Sequence, residues 1–291
     1  MLPRDDCYSA LEHLALSVCL REDDFMAMVT VYFDDSGTHQ QSEIAVAACY
    51  VSDVRRWTDY ESAWLPILVD AGIEESGFHM ADFVAHAKPY DTWSDDKRDK
   101  VLRAFISVIN KYAYEGAIAA VVKSDYDRLV TGKLREKLGE YHYTFAVQSC
   151  LAHIEYWRKV RSDSQPVQYV FDRMSHGKHE IINLFDDIER RKTAVAFGIE
   201  PNGYAFQNRK YVVQLQATDI LAWEAAKYMK VCQFTGKEPR KSFQSLVSSV
   251  PTLARFFDQS TLPSMVMDLT RKYEAVNWEG PLGGFFEPVV R

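Results

Sequence analysis

Strand-like segments alternate along the chain with segments of helical periodicity, and this alternation constrains the fold more than any other feature. A run of β-branched and aromatic residues at 29–33 predicts a first strand, and residues 43–51 predict a second strand close enough to form a hairpin with it. Three further strands are predicted at 116–122, 167–171 and 194–199. Helices are predicted at about 53–69, from Ser94 onward, and at about 141–160, 178–191 and 215–229. The alternation favours one α/β domain, with a mixed β-sheet flanked by helices.

Domain boundaries are predicted after residue 27 and after residue 235. Residues 1–27 are expected to form an N-terminal extension, and residues 28–235 the α/β domain. Residues 236–291 are expected to form an irregular C-terminal extension packed on the same domain. Five prolines cut this part of the chain into short pieces: Pro239, Pro251, Pro263, Pro281 and Pro288. Whether the extension covers a site or contacts another subunit stays open.

The charge balance limits what the chain can bind. Its 291 residues include 34 Lys and Arg against 41 Asp and Glu, which gives a formal net charge of −7. A strongly basic surface that binds nucleic acid regardless of sequence is therefore excluded, and any nucleic-acid contact must be local. Five cysteines without a C-x-x-C spacing argue against a disulfide framework and favour a reducing, cytoplasmic location. No membrane span and no signal peptide are predicted.

Three aspartates occur where a buried side chain is expected. Asp34 follows the first predicted strand, Asp172 follows the fourth, and Asp219 lies in an apolar helix beside Leu215 and Ala222. A carboxylate at such a position is costly unless it is paired, hydrogen-bonded or bound to a cation. Two strand-end carboxylates and one helix carboxylate suit Mg²⁺ or Mn²⁺, which prefer oxygen ligands. Such a site can organise two metal ions for phosphodiester hydrolysis.

Each of these acids also has an ordinary structural interpretation. Asp172 can serve as a turn or helix-cap residue, and Asp35 with Ser36 can form an ordinary hairpin turn. Asp219 can pair with an arginine or cap a neighbouring loop. Taken one at a time, these residues do not distinguish a metal site from local structure.

Four short motifs carry the acids or lie between them. They are Tyr32-Phe33-Asp34-Asp35-Ser36-Gly37, Phe78-His79, Phe171-Asp172 and Gln214-Leu215-Gln216-Ala217-Thr218-Asp219-Ile220-Leu221-Ala222. Together, over about residues 28–230, they resemble the motifs of the family called domain of unknown function 3800. That family opens with D-E-S-G after its first strand and has a late Q-x-A-D-x-x-A helix. The chain departs from it at Asp35 in place of Glu, at Thr218 in place of Ala, and at Gly77, where a Glu is frequent.

The resemblance implies a ribonuclease H-like fold, whose acids lie on the first strand, on a later strand and on a helix packed against the sheet. By that resemblance, Asp34, Asp172 and Asp219 are the expected ligands of Mg²⁺ or Mn²⁺. Asp35 is expected as a further catalytic acid, and Ser36 of the same motif as a substrate-binding residue.

His79 corresponds to a histidine that the family carries near a short strand. It is a candidate catalytic residue that holds a phosphate or acts as a general acid toward the leaving oxygen. The alternative is a core histidine hydrogen-bonded to the backbone.

Basic residues near the acids are candidates for substrate binding. Arg209 and Lys210 immediately precede the last predicted helix and stand beside Tyr211. Arg173 directly follows Asp172 and can reach a phosphate or pair with a neighbouring carboxylate. Basic and aromatic side chains beside a metal site suit a nucleic-acid backbone and a stacked base.

These features predict a metal-dependent phosphodiester hydrolase, a nuclease that acts on RNA or DNA. Two alternatives stay open: a non-catalytic ribonuclease H-like module that binds nucleic acid or protein, and a phosphohydrolase for small nucleotides. The chain lacks the Gly-rich dinucleotide motif, the P-loop and the nucleophile elbow, which argues against a dehydrogenase, a kinase-like ATPase and a serine hydrolase. The oligomeric state is not predicted.

Overall fold

The computed structural model describes residues 29–173, 177–190, 194–199, 203–233 and 235–276. The predicted N-terminal extension, residues 1–27, lies outside this range, as do Pro281 and Pro288 of the predicted C-terminal extension. The strands are β1 (Val29–Ser36), β2 (Ile44–Asp53), β3 (Glu115–Val122), β4 (Val167–Asp172), β5 (Tyr204–Gln207) and β6 (Thr252–Phe257). The helices are α1 (Val54–Ala71), α2 (Met80–Val84), α3 (Asp95–Tyr112), α4 (Lys123–Leu129), α5 (Gly132–Leu138), α6 (His142–Arg161), α7 (Lys178–Arg190), α8 (Ala194–Phe197), α9 (Gln214–Tyr228), α10 (Lys241–Ser249) and α11 (Leu262–Val276). A π-helical turn, Met229–Gln233, continues α9.

The strands form one six-stranded mixed sheet in the order β5-β4-β1-β2-β3-β6. β1, β2 and β3 form an antiparallel meander, whereas β4 runs parallel to β1, β5 parallel to β4, and β6 parallel to β3. One face of the sheet packs against α1, α3 and α9, and the other against α6, α7 and α11. The predicted α/β fold with a mixed sheet flanked by helices is confirmed.

Alternate residues of β1 face the two layers of helices. Tyr32 belongs to the core on the α9 side, whereas Val31 and Phe33 belong to the core on the α6 side. The side chain of Asp34 continues the alternation and lies on the same face as Tyr32. A buried carboxylate therefore faces α9 at the end of a central strand.

A side-chain cap begins each of the helices that are predicted at about 53–69 and from Ser94 onward. The carboxylate of Asp53 accepts a hydrogen bond from the backbone N–H of Arg56 at 2.7 Å, where α1 begins, and Ser94 accepts one from Lys97 at 3.3 Å, where α3 begins. In the described part of the chain, no helix combines the length and apolar composition that a membrane crossing requires.

The strand predicted at 194–199 is wrong. This segment contains the short helix α8, and the strand of this region is β5, which pairs with β4 from Tyr204 to Gln207. Side chains bind the α8 carbonyls: Arg158 donates to the carbonyl of Ala196 at 2.9 Å, and Tyr169 donates to that of Phe197 at 2.7 Å. A helical turn exposes its last carbonyls to such donors, whereas a strand would use them in pairing.

The prediction of an irregular C-terminal extension is also wrong as far as the structure describes it. After residue 235 the chain forms α10, β6 and α11, and β6 joins the main sheet beside β3. The prolines mark the boundaries of these elements. Pro239 precedes α10, Pro251 precedes β6, and Pro263 lies in the first turn of α11, where a missing N–H costs nothing.

Candidate functional site

Asp34 lies at the carboxyl end of β1 and is only 3% exposed. Its Oδ1 atom accepts a hydrogen bond from the backbone N–H of Asp35 at 2.8 Å. Its Oδ2 atom is buried and has no hydrogen-bond partner among the described residues. A buried carboxylate oxygen without a donor is expensive in free energy, and this makes Asp34 a strong candidate for cation binding.

Asp172 lies beside Asp34 because β4 runs parallel to β1, with Phe171 opposite Phe33 in the register. Its Oδ1 atom accepts hydrogen bonds from the backbone N–H groups of Arg173 at 2.8 Å and Arg209 at 3.1 Å. Asp172 thus anchors the loop before α9, in keeping with its structural interpretation, while its Oδ2 atom faces Arg209.

Asp219 projects from α9 toward the same point and is 5% exposed. Its Oδ2 atom accepts a hydrogen bond at 2.6 Å from the backbone N–H of Met80, the first residue of α2. Through this one oxygen, Asp219 caps a neighbouring segment, as its structural interpretation expects. Its Oδ1 atom lies 3.9 Å from the guanidinium of Arg209.

Arg209 brings the three predicted acids together. Its Nη1 atom lies 4.0 Å from Asp34 Oδ2, 3.5 Å from Asp172 Oδ2 and 3.9 Å from Asp219 Oδ1. Since all three oxygens lie within 4.0 Å of one atom, any two of them are at most about 8 Å apart, which is compatible with one shared metal site. The guanidinium occupies the space between the carboxylates.

The pKa values of these groups reflect a crowded anionic site. Burial raises the pKa of Asp34 well above its ordinary value, and the charges of Asp219, Asp35 and Asp172 raise it further. Burial also raises the pKa of Asp219, although His79 and Arg209 oppose that shift. For Arg209, burial alone would lower the pKa, but the surrounding carboxylates outweigh it and raise the pKa. The site therefore favours an added positive charge.

His79 immediately precedes α2 and lines the same cleft as the three aspartates. Its Nδ1 atom lies 2.6 Å from Asp82 Oδ2, and its side chain is 29% exposed. The ring is thus held by a carboxylate, in contrast to the alternative of a core histidine bonded to the backbone. With Nδ1 engaged by Asp82, Nε2 is the ring atom available for a proton transfer.

Asp35 and Ser36 are the last two residues of β1 and line the cleft. The Asp35 carboxylate accepts a hydrogen bond from the Thr38 hydroxyl at 2.5 Å, as expected for an ordinary hairpin turn. Burial raises the pKa of Asp35, and the Thr38 hydrogen bond opposes that shift. Asp35 lies next to the three converging acids and is tied to the turn.

Gln216 is a positioning residue to which the sequence assigned no role. It is fully buried in α9, and its Nε2 atom donates to the carbonyl of Arg209 at 2.9 Å. Its Oε1 atom accepts from Trp64 Nε1 at 2.8 Å and from the backbone N–H of Phe78 at 3.0 Å. One amide therefore fixes both the Arg209 loop and the segment that carries His79.

Gly77 gives Gln216 the space that it needs. A Cβ atom at position 77 would lie 2.7 Å from Gln216 Nε2, and the backbone φ of Gly77 is +71°. Both observations disfavour a side chain here. The glycine found where the resembling family frequently has Glu therefore matches the local structure.

The site opens into a cleft of about 550 Å³. Arg173 and Arg209, the predicted substrate-binding arginines, line this cleft. Lys210 is not among the residues that line it; it is exposed, and its Nζ atom lies 5.8 Å from the ring centroid of Tyr211.

Several further cleft residues were missed from the sequence, among them Trp223, Lys227 and Lys230. Their spacing from Asp219 along one helix face was the available signal. They extend the cleft from the acids toward the end of α9.

In this structure the acids are not arranged as a complete metal-binding site. Among the described residues, no group of three or more His, Cys, Asp or Glu side chains is arranged to hold a metal ion. Arg209 lies between the carboxylates, so metal binding requires that this side chain move. Its side chain is 31% exposed at the cleft, which leaves it a path outward.

Comparison with known proteins leaves the site to be interpreted from its own geometry. No model of a protein family matches the chain, and no curated protein matches it.

Proposed function

We propose that the chain is a divalent-metal-dependent phosphodiester hydrolase, a nuclease that acts on RNA or DNA. One observation carries the proposal: three aspartates from β1, β4 and α9 converge within 4.0 Å of a single atom of Arg209. Packing alone would place apolar residues at such buried positions. Convergent buried carboxylates are a common design for binding Mg²⁺ or Mn²⁺.

The topology supports a ribonuclease H-like fold and the resemblance to the domain of unknown function 3800 family. That fold is expected to place its acids on the first strand, on a later strand and on a helix packed against the sheet. Asp34 on β1, Asp172 at the end of β4 and Asp219 on α9 occupy such positions. In the sheet, β1, β2 and β3 form an antiparallel meander, and the parallel strands β4 and β5 are added beside β1.

The three carboxylates supply the oxygen ligands that a divalent cation prefers, once Arg209 has left the space between them. Asp34 Oδ2 is buried without a hydrogen-bond donor among the described residues, and the neighbouring carboxylates raise the pKa of Asp34 further than burial alone. Asp34, Asp172 and Asp219 would hold the metal. When bound, it would supply charge neutralisation at the phosphate and activation of water.

His79 and Arg209 are the residues of this chain that would act on the substrate itself. Asp82 orients the His79 ring through Nδ1, which leaves Nε2 to hold or release a proton at the cleft. Arg209, once it leaves the carboxylates, presents a fork of donors that suits a phosphate. With a net charge of −7, contacts to nucleic acid are confined to the cleft and its rim.

Substitution of the acids tests the proposal. Asp34→Asn and Asp219→Asn should each abolish Mn²⁺-dependent cleavage of labelled oligonucleotides while the circular dichroism spectrum is retained. Both variants should also lose Mn²⁺ binding, as measured by titration calorimetry. Asp70→Asn, at an exposed position of α1, is the matched control and should change neither measurement. Unchanged cleavage in both site variants would refute the proposal.

A non-catalytic binding module is the second candidate function. The observation that favours it is the position of the Arg209 guanidinium, which already neutralises part of the charge of the acids. The same calorimetry separates the two functions, because a pure binding module would show no Mn²⁺ binding that depends on Asp34 or Asp219.

A further inference from the structure

The cleft continues from the metal-binding acids along one face of α9. Trp223, Lys227 and Lys230 follow Asp219 by four, eight and eleven residues, and all four residues line the cleft. Residues with these spacings lie on one stripe of a helix, successive members being separated by about one turn. The wall that leads away from the carboxylates therefore presents one indole ring and then two ammonium groups.

On one side, the indole of Trp223 packs against an ion pair between an exposed arginine and a buried glutamate. The guanidinium carbon of Arg240 lies 5.1 Å from the Trp223 ring centroid. Arg240 Nε lies in turn 3.3 Å from Glu224 Oε2, and the Glu224 side chain is 1% exposed. Ser242 donates a hydrogen bond to the other carboxylate oxygen at 2.5 Å. Arg240 restrains the ring from this side, which lowers the entropy that the ring loses on binding.

The two lysines are available to an anion. Both are exposed, and neither ammonium has an ion-pair partner within the part of the chain that the structure describes. They lie at the carboxyl end of α9 and in the π-helical turn that continues it. An anionic chain that leaves the acidic centre along α9 meets these charges directly after the indole.

An indole followed by point charges is a surface suited to unpaired nucleotides. Aromatic rings bind a base of any sequence by stacking, and adjacent cations bind the backbone. In a duplex the base faces are already stacked on one another, so only a splayed or single-stranded base can use the ring. The cleft volume of about 550 Å³ is in the range of sites for small organic ligands, which favours the individual nucleotides of an unpaired strand over a double helix.

We propose that the cleft takes single-stranded nucleic acid, with one base stacked on Trp223 and the following phosphates on Lys227 and Lys230. The proposal rests on the proposed nuclease function and names its substrate class. In this arrangement the phosphodiester at the acids lies one helical turn from the stacked base.

Binding measured in EDTA tests this substrate class separately from cleavage. Fluorescence anisotropy would follow a labelled twelve-nucleotide strand, as RNA and as DNA, and a duplex of the same sequence. The single strand should bind about tenfold more tightly than the duplex. Trp223→Ala should weaken single-strand binding by roughly 5- to 100-fold, whereas Trp223→Phe, which keeps an aromatic face, should retain most of the affinity.

The lysines are tested by salt dependence. The double variant Lys227→Ala with Lys230→Ala should lower the slope of log Kd against log salt concentration by about 1.4, since each phosphate contact on a single strand contributes about 0.7. Lys100→Ala with Lys133→Ala removes two exposed charges elsewhere and should leave the slope unchanged. These surface variants carry the test even if Trp223→Ala folds poorly.

Equal affinity for the duplex and the single strand would overturn the proposal, as would unchanged single-strand binding in both Trp223→Ala and the lysine double variant. It would also be overturned if these variants lost as much affinity for a labelled mononucleotide as for the single strand. The last result would assign the cleft to small nucleotides. If only the nuclease function is wrong, the protein will bind single strands and respond to these variants, but it will show no Mn²⁺-dependent cleavage.

Discussion

Arg209 and Asp172 are joined twice. The backbone N–H of Arg209 donates to Asp172 Oδ1 at 3.1 Å, and the guanidinium Nη1 lies 3.5 Å from Asp172 Oδ2. The backbone contact holds the loop in place whatever the side chain does. The guanidinium can therefore leave the acids and return without disturbing the loop that carries it.

Removal of the Arg209 side-chain charge should strengthen metal binding. The guanidinium and a divalent cation compete for the same carboxylates, so Arg209→Met should lower the Kd for Mn²⁺ by roughly two- to tenfold, as measured by titration calorimetry. Arg209→Lys keeps the charge and should stay close to the unmodified protein. Arg103→Met, at an exposed position of α3, controls for net charge. Weaker Mn²⁺ binding in Arg209→Met would contradict the competition.

Glu224 should give the protein a pH-dependent stability. Burial raises the pKa of Glu224 above its ordinary value of 4.5, although the Ser242 hydrogen bond and the charge of Arg240 oppose the shift. The folded protein therefore keeps this proton at pH values where the unfolded chain has lost it. As the pH rises from 4.5 through the folded-state pKa, the free energy of unfolding should fall.

Glu224→Gln should reduce the fall in the free energy of unfolding as the pH rises above 4.5. The amide oxygen can still accept the Ser242 hydrogen bond but carries no charge to titrate. Urea denaturation at a series of pH values measures the effect. Glu75→Gln, at an exposed position, should leave the profile as it is. A profile in Glu224→Gln as steep as that of the unmodified protein would be inconsistent with a buried, titrating Glu224.

Gly77→Ala should destabilise the protein more than the same change at Gly72. Both glycines have positive φ, +71° and +75°, but only a Cβ at position 77 would meet Gln216, whereas nothing lies within 4 Å at position 72. We expect a loss of about 2–4 kcal/mol for Gly77→Ala and about 1 kcal/mol for Gly72→Ala in urea denaturation. Equal losses would mean that the Gln216 contact relaxes at no cost.

The acids could be located from the sequence because strand patterns are strong local signals. Asp34 and Asp172 directly follow buried β-branched and aromatic runs, and parallel pairing places the ends of two such strands side by side. Asp219 was identifiable because a charged residue interrupts a small, apolar helix stripe. The convergence of Arg209 on the same point depends on how a loop side chain is directed, and sequence periodicity carries no information about that.

Two errors in the fold have a common physical origin. Residues 194–199 and the segment after residue 235 lack a clear period, so their conformation is decided by long-range partners. Arg158 and Tyr169 bind the carbonyls of α8, and β3 accepts β6 as an edge strand. Trp223, Lys227 and Lys230 were missed for another reason. Their spacing from Asp219 places them on one helix face, but the sequence does not show that this face borders a cleft.

The hydrogen bond between Met80 and Asp219 spans 139 residues of chain. During synthesis, β1 and its Asp34 leave the ribosome long before α9 exists, and contacts between distant segments are the slow ones to form. Until α9 docks, the α2 segment lacks its cap and the three acids are solvated and far apart. A partly made chain therefore lacks the cluster of three acids, which is assembled only when α9 packs on the sheet.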